Sequence, residues 1–337
     1  MSGTLDVPLD APGRHLGALR IPWSRDESGY GQVVVPVVVL HGAPGPTAML
    51  AGGVHGDEPE GPIALLRLSR ELDPARLRGR VILVPAMNLP AARAGRRTSP
   101  IDSGNLARLF PGDPSGGVTS RIAEAVTRLL LPEADLVLDL HSGGRSMEYL
   151  PCAWGRLPED RDAGPVLDAL VAFGAPLTAV VARPEATGTL VATALRAGKT
   201  ALAAEIGGGG AATPDTVGIA LRGARRILAH AGILASDREP PPETRLLVVE
   251  QRHFLRSPGR GLFEPAVRLG DTVEPGRIAG WLHDLERPDR PPEPVRFEEG
   301  GLVLCRRVPA LVEPGDVLFH LAADADRDTL LGLGGRG

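Results

Sequence analysis

Residues 48–61, AMLAGGVHGDEPEG, run from an apolar segment through two glycines into a histidine, an alternation of carboxylates and a proline. A short apolar run ending at glycine and followed by Pro59 and Pro62 reads as a buried strand that turns into a helix, because proline is tolerated in a helix's first turn. The helix is carried by GPIALLRLSREL (61–72). There Leu65, Leu68 and Leu72 stand at i, i+3 and i+7 on one face, and Asp73-Pro74 stops it. His55 and Glu58, at i and i+3, therefore sit where a strand's carboxyl end turns into a helix, the place at which α/β sheets bind ligands. An imidazole and a carboxylate at that spacing can reach one divalent ion, although a lone HxxE also occurs by chance.

Working outward, QVVVPVVVL (32–40) reads as a strand whose Pro36 argues for an edge or a bulge, and GAPGPT (42–47) as a turn. VILVPAMN (81–88) is a further strand. The Gly/Arg/Pro-rich stretch 89–118 is too long for a structureless connection without a functional reason, so it is expected to line a site. Ser120 is expected to cap the helix RIAEAVTRLLL, with Ile122, Val126, Leu129 and Leu130 on one face, before the apolar strand ADLVLDL (134–140). Strands at 176–182 and 200–207 and a helix over 216–234 extend the alternation. The fold class predicted is α/β, a mixed sheet covered by helices.

After SDREPPPET (236–244), which reads as a linker, short strands and turns replace helical periodicity. Val273-Glu274-Pro275-Gly276 recurs 39 residues later as Val312-Glu313-Pro314-Gly315, implying two similar β halves. Their texture resembles the small barrel of biotinyl and lipoyl carrier domains. A carrier role is excluded, because residues 282–297 contain no lysine to modify. The organisation expected is a catalytic domain over 1–240, a small all-β barrel over 241–325 that is structural or walls the site, and a C-terminal tail over 326–337.

Composition narrows the function. With 337 residues, 37 Lys plus Arg against 41 Asp plus Glu and a formal charge of −4, the chain lacks the basic footprint of a nucleic-acid binder. Aromatic residues at 3% disfavour base-stacking platforms. No apolar run is long enough to span a membrane and the start has no export signal, so a cytoplasmic enzyme is expected. Cys152 and Cys305 stand far apart, which offers neither a disulfide framework nor a cysteine metal cluster. Any metal must be held by other residues.

Two further strand ends supply them. Asp139-Leu140-His141-Ser142-Gly143-Gly144 offers His141 as a third ligand, and Glu205 precedes four glycines, Gly207 to Gly210, after Ile206. A His/Glu/His set leaves a fourth zinc position open for chemistry. Glu205 suits a general base and acid, or equally the structural partner of an arginine. Asp57 suits a carboxylate orienting a ligand, or a simple charge at a helix N-terminus. The histidines at 15, 41, 230, 253, 283 and 320 have no ligand spacing and read as ordinary.

Taken together, HGDEPEG, N-x(6)-GRR-x(2)-PID-x(2)-NLAR-x-FPG, DLHSGG and EIGGGG resemble the succinylglutamate desuccinylase/aspartoacylase family, relatives of the zinc carboxypeptidases, over roughly residues 15 to 235. More narrowly, GGVHGDEPEGPIAL, VPAMNLPAARAGRRTSPIDSGN and LDLHSGG are similar to the N-α-acetyl-L-2,4-diaminobutyrate deacetylases of ectoine breakdown. The resemblance implies a zinc-carboxypeptidase-like fold and one Zn2+ per chain held by His55, Glu58 and His141. It further implies Glu205 as the group that activates water and protonates the leaving amine, and Arg97 or Arg96 as the one polarising the scissile carbonyl. Arg108 would hold the substrate carboxylate. The chain departs from the family at Ala107, where an asparagine usually precedes the arginine, and Asn105 is the nearest amide that can serve substrate. The activity implied is hydrolysis of an N-acyl amino acid, with N-α-acetyl-L-2,4-diaminobutyrate first. Its side-chain ammonium asks for an acidic group, for which Glu148 is the candidate. The rivals are another N-acyl amino acid or a peptide carboxy-terminus at the same zinc site, and a binding protein without turnover. Partners expected are that small molecule and, at most, further copies of the chain in a homo-oligomer.

Overall fold

The computed structural model describes residues 2–182, 187–235 and 242–334. A single large sheet organises it. Its centre is parallel: Ala43–Gly52 lies between Arg78–Val84 and Leu136–His141, and Thr200–Glu205 pairs with Leu136–His141 on the far side. These are the near-continuous apolar segments of the sequence, as strands covered on both faces must be. Val81 to Val84, Ala48 to Ala51 and Val137, Leu138 and Leu140 are all fully buried.

Antiparallel strands complete both sides. Thr4–Leu5, Gly13–Pro22 and Gln32–His41 extend one edge. Pro36 pairs only with Ala18, because the partner strand Arg78–Val84 reaches no further than Val38, so its missing N–H leaves no gap in the ladder. GAPGPT is not a turn: it forms the start of Ala43–Gly52, with a register shift between Ala43 and Thr47 that absorbs the prolines. Ser120 is not a cap either. Helix Val118–Leu129 starts at Gly117, and the Ser120 hydroxyl accepts from the Asp113 N–H instead. Stretch 89–118 holds a short helix, Leu89–Ala94, and a 3-10 turn, Leu106–Arg108.

The carboxyl side of the sheet continues through Cys152–Gly155 and Leu177–Val181 to Arg245–Val249, then through Val317–Asp324 and Gly301–Arg307 to Thr272–Val273. The C-terminal strands are thus hydrogen-bonded into the same sheet, through Leu247 opposite Asp324 and Val248 opposite Ala323. A second sheet of four strands, Glu293–Arg296, Ile278–His283, Gly261–Pro265 and Leu311–Val312, faces them. Phe319 joins the two layers, with Phe263 at 5.9 Å and Phe297 at 5.5 Å between ring centroids. The two Val-Glu-Pro-Gly repeats occupy related places. Each short strand lies in one sheet and the long strand after it in the other, and Gly276 and Gly315 both take positive φ, 84° and 86°.

The expected boundary at 240 falls within residues 236–241, outside the described residues. The expected tail forms a helix, Arg327–Gly334, with Leu330 buried, up to the last described residue. No helix among the described residues is long and apolar enough to cross a membrane.

Helix Pro214–His230, opened by a Thr213/Thr216 capping box, packs against helices Glu60–Glu71 and Gly164–Ala172. At Gly223 the approach is close: a Cβ there would lie 2.4 Å from the ring of fully buried Phe173. Glycine to alanine inside a helix ordinarily stabilises by about 1 kcal/mol, but overpacking of this size costs about 1–3 kcal/mol. Gly223→Ala is therefore expected to lower stability, read as a shift of the urea midpoint to lower concentration at unchanged slope.

Candidate metal centre and active site

Strand register assembles the site. His141 and Glu205 end neighbouring parallel strands as direct partners, and Gly52, partner of Leu140, ends the next strand along, two residues before Val54-His55. The turn after it is tight. A Cβ on Gly56 would lie 2.0 Å from the backbone of Ala91, so only glycine lets the turn that carries His55 and Glu58 pack against helix Leu89–Ala94 here. The four glycines after Glu205 have a different cause: Gly207, Gly208, Gly209 and Gly210 all take positive φ, from 69° to 143°.

Glu58 is 2% exposed and lies between the two imidazoles. Its Oε1 is 2.6 Å from His55 Nδ1 and its Oε2 is 2.8 Å from His141 Nδ1, while the Ser142 N–H donates to Oε2 at 3.2 Å. Burial would raise this carboxyl, but His55 and His141 outweigh it and hold it well below the usual carboxylate range. The outer nitrogens are also engaged. His141 Nε2 is 2.9 Å from Asp139 Oδ2, and His55 Nε2 is 3.1 Å from Asn105 Oδ1. Burial opposes charge on His141, yet Asp139 and Glu58 raise it well above its ordinary value.

One ligand atom from each of His55, Glu58 and His141 lies within 4.8 Å of the others. Two nitrogens and a carboxylate oxygen are a donor set suited to zinc with a position left open. Nδ1 of each imidazole faces the shared carboxylate while Nε2 is backed by an acceptor, the arrangement that fixes ring orientation and raises ligand basicity. The residues present fit the ion.

Glu205 stands beside this set with Oε2 buried and without a hydrogen-bond partner, and burial pushes its carboxyl up to about 8. Among the described residues no arginine is paired to it. Arg97 Nη1 approaches Glu58 Oε1 at 3.4 Å, and Arg97, Arg108 and Ala107 all line a cavity of about 520 Å3 shared with the metal-ligand set. Arg96 does not line it. Its carbonyl instead accepts from the Gly56 N–H at 2.9 Å, tying stretch 89–118 to the histidine turn. Asn105, expected to serve substrate, has its side-chain oxygen on His55. Asp57 accepts from the Arg145 N–H at 3.0 Å and so joins the turn to the segment after His141. Glu148 is not available to an ammonium, because Arg306 Nε donates to it at 2.8 Å and it does not line the cavity.

Several lining residues escaped sequence reasoning: Asp139, Tyr149, Trp154, Phe254 and His320. Asp139 carried a signal, its two-residue offset from His141 along a strand. The others carried none, since Phe254 and His320 come from strands more than a hundred residues further along. His320, read as ordinary for want of ligand spacing, is buried beside the cavity, with Nδ1 3.1 Å from the Tyr149 hydroxyl.

An α/β sheet that gathers at its strand ends a His/Glu/His set able to hold a metal ion, with a buried carboxyl beside it, is the architecture of a hydrolase. Residues 44–231 match the succinylglutamate desuccinylase/aspartoacylase catalytic domain. The chain belongs to the succinylglutamate desuccinylase/aspartoacylase family, enzymes that hydrolyse amides. It is 42% identical, over 96% of its length and 94% of the relative's, to the N-α-acetyl-L-2,4-diaminobutyric acid deacetylase of Halomonas elongata. The product-bound structure of the ectoine utilization protein EutE (DoeB) from Ruegeria pomeroyi is similar at a TM-score of 0.91 and 40% identity, covering 95% of this chain and 98% of that one. A succinylglutamate desuccinylase/aspartoacylase from Rhodobacter sphaeroides gives the same TM-score at 34% identity, over 97% of this chain and 100% of that one.

Burial, and to a lesser extent Arg256, pushes His320 down to about 3. The unfolded chain then binds a proton below about pH 6.5 that the folded chain refuses, so the stabilisation present above that pH is lost as pH falls toward about 3, at about 1.4 kcal/mol per unit. Between about pH 7 and about pH 5 this residue alone is expected to cost about 2 kcal/mol. Denaturant unfolding at the two pH values should show that loss in the natural chain and a smaller one in His320→Asn.

Proposed function

We propose that this protein is a zinc-dependent deacylase that removes the acetyl group from the α-amino nitrogen of 2,4-diaminobutyrate, and that it works in the cytoplasm. The observation that carries the reading is the Glu58 carboxylate shared by two imidazoles, with the unpartnered Glu205 carboxyl next to them. The name and 42% identity of the Halomonas elongata deacetylase support the choice of substrate.

His55, Glu58 and His141 hold the zinc. When bound, it supplies Lewis-acid polarisation and lowers the pKa of water toward about 7. Glu205 takes a proton from the attacking water and delivers it to the departing amine, so that amide and water become acetate and free α-amine. Burial raises this carboxyl above the usual carboxylate range, which suits a group that accepts a proton and then returns it. Arg97 steadies the charge that grows on the carbonyl oxygen, and Arg108 binds the α-carboxylate with its planar fork. Ala107 offers no amide to the substrate. Asp139 and Asn105 orient the two imidazoles. Residues 1–240 are read as the catalytic unit, and 241–325 as a biotinyl/lipoyl-like unit used as a wall rather than a carrier.

A second reading keeps the same centre but takes an acyl amino acid with an anionic side chain. It is favoured by Arg97, Arg108 and Arg156 all lining the cavity. The deciding experiment is amine release from N-α-acetyl-2,4-diaminobutyrate and from N-acetylaspartate, with chelator and with zinc restored. Chelator-sensitive release from the first compound is expected, and preference for the second would replace the first reading by the second. Glu205→Gln is expected to lower turnover at least about 100-fold while zinc content stays equimolar. Asp139→Asn should weaken zinc binding about 10- to 100-fold, measured by competition with a chromogenic chelator.

A further inference from the structure

Aromatic residues make up 3% of the chain, yet Tyr149, Trp154 and Phe254 all line the cavity that contains the metal-ligand set. With His320 they form an unbroken row. Trp154 meets Tyr149 edge-on at 5.9 Å, Tyr149 meets His320 edge-on at 5.5 Å, and His320 meets Phe254 at 4.1 Å between ring centroids. Two of the four come from strands Met147–Tyr149 and Cys152–Gly155, and two from Phe254–Arg256 and Val317–Asp324. Both parts of the chain therefore build one surface.

Tyr149 and His320 are buried and satisfy each other through one hydrogen bond, which holds the middle of the row rigid. Trp154 and Phe254, at its ends, remain half-buried. Since burial keeps His320 neutral, the row carries no charge of its own at ordinary pH. The carboxylates lining the cavity are otherwise committed. Glu58 and Asp139 are bonded to the imidazoles, and Glu205, beside them, is the proton carrier of the proposed reaction, so no other carboxylate among the described lining residues is placed to meet a second cation. Ring faces attract an ammonium and repel a carboxylate. Arg97 and Arg108, from the stretch 89–118, offer the opposite preference in the same cavity, as do Arg156 and Arg256, each two residues beyond an end of the row.

We propose that the row Trp154–Tyr149–His320–Phe254 is the side-chain subsite of the enzyme, and that it selects acyl amino acids bearing a short cationic side chain. The inference rests on the deacylase reading above and adds to it the residues that discriminate. The arginines take the anionic end of a zwitterionic substrate and the rings take its ammonium.

The test compares kcat/KM for N-α-acetyl-2,4-diaminobutyrate with that for N-acetylnorvaline, which replaces the ammonium by a methyl group. The natural chain is expected to favour the ammonium by about tenfold or more, and Trp154→Leu and Phe254→Leu, on different strands, each to cut that preference by about threefold to tenfold. A loss of packing alone would lower both rates and leave their ratio in place. If the ammonium compound is cleaved but its preference over N-acetylnorvaline survives both substitutions, or is absent in the natural chain, the subsite is overturned while the deacylase reading stands. If zinc-loaded protein cleaves neither compound, the deacylase reading falls and the subsite with it.

Discussion

A carboxylate that is almost wholly withdrawn from water persists as an anion only if its lone pairs are taken up by charge or hydrogen bonds. Glu58 meets that condition through His55 on one oxygen and His141 and the Ser142 N–H on the other. His55 follows one strand end, and His141 and Ser142 lie at the end of its parallel neighbour, so satisfying Glu58 requires those two strands to be in register. The glycines nearby answer local backbone demands, Gly56 the close passage of Ala91 and Gly207 to Gly210 their positive φ. Asp139 and Asn105 then fix the rings from behind. The charge problem created by one buried carboxylate thus sets the geometry of the whole centre.

Glu205 illustrates the opposite treatment of the same chemical group. It sits on the next strand, opposite His141 in register, but its Oε2 has no partner among the described residues, and burial raises its carboxyl where the imidazoles depress Glu58. Two carboxyls in neighbouring positions are pushed apart in acidity by what they touch, the pattern on which the proposed ligand and proton-carrier roles rest. The C-terminal strands add a further constraint. By pairing Arg245–Val249 into the main sheet and Val317–Asp324 onto it, they bring Phe254 and His320 to a cavity whose floor was built by the first half of the chain.

Much of this was legible in the residues. AMLAGGVHGDEPEG, ADLVLDLH and TALAAEIG state their strands through apolar runs and their chemistry through the polar residue at the end of each, because a parallel strand must be apolar and its carboxyl end is where the chain is free to present a ligand. The prolines and glycines of GAPGPT misled for a physical reason. Turn chemistry was read where a bulged strand could absorb it against Arg78 and Arg80. Ser120 misled similarly, its hydroxyl being used by Asp113 rather than by its own helix.

The sequence by itself therefore determined the sheet's central strands, the three ligand candidates and Glu205, all of which depend on local pattern. Only the tertiary structure decided that Asn105 backs a ligand, that Glu148 is spent on Arg306, that Arg96 works through its carbonyl and that His320 faces the site. Those assignments depend on which side chains meet across strands far apart in the chain. Local composition does not encode such meetings, because they follow from sheet order and register, which the chain settles only as a whole.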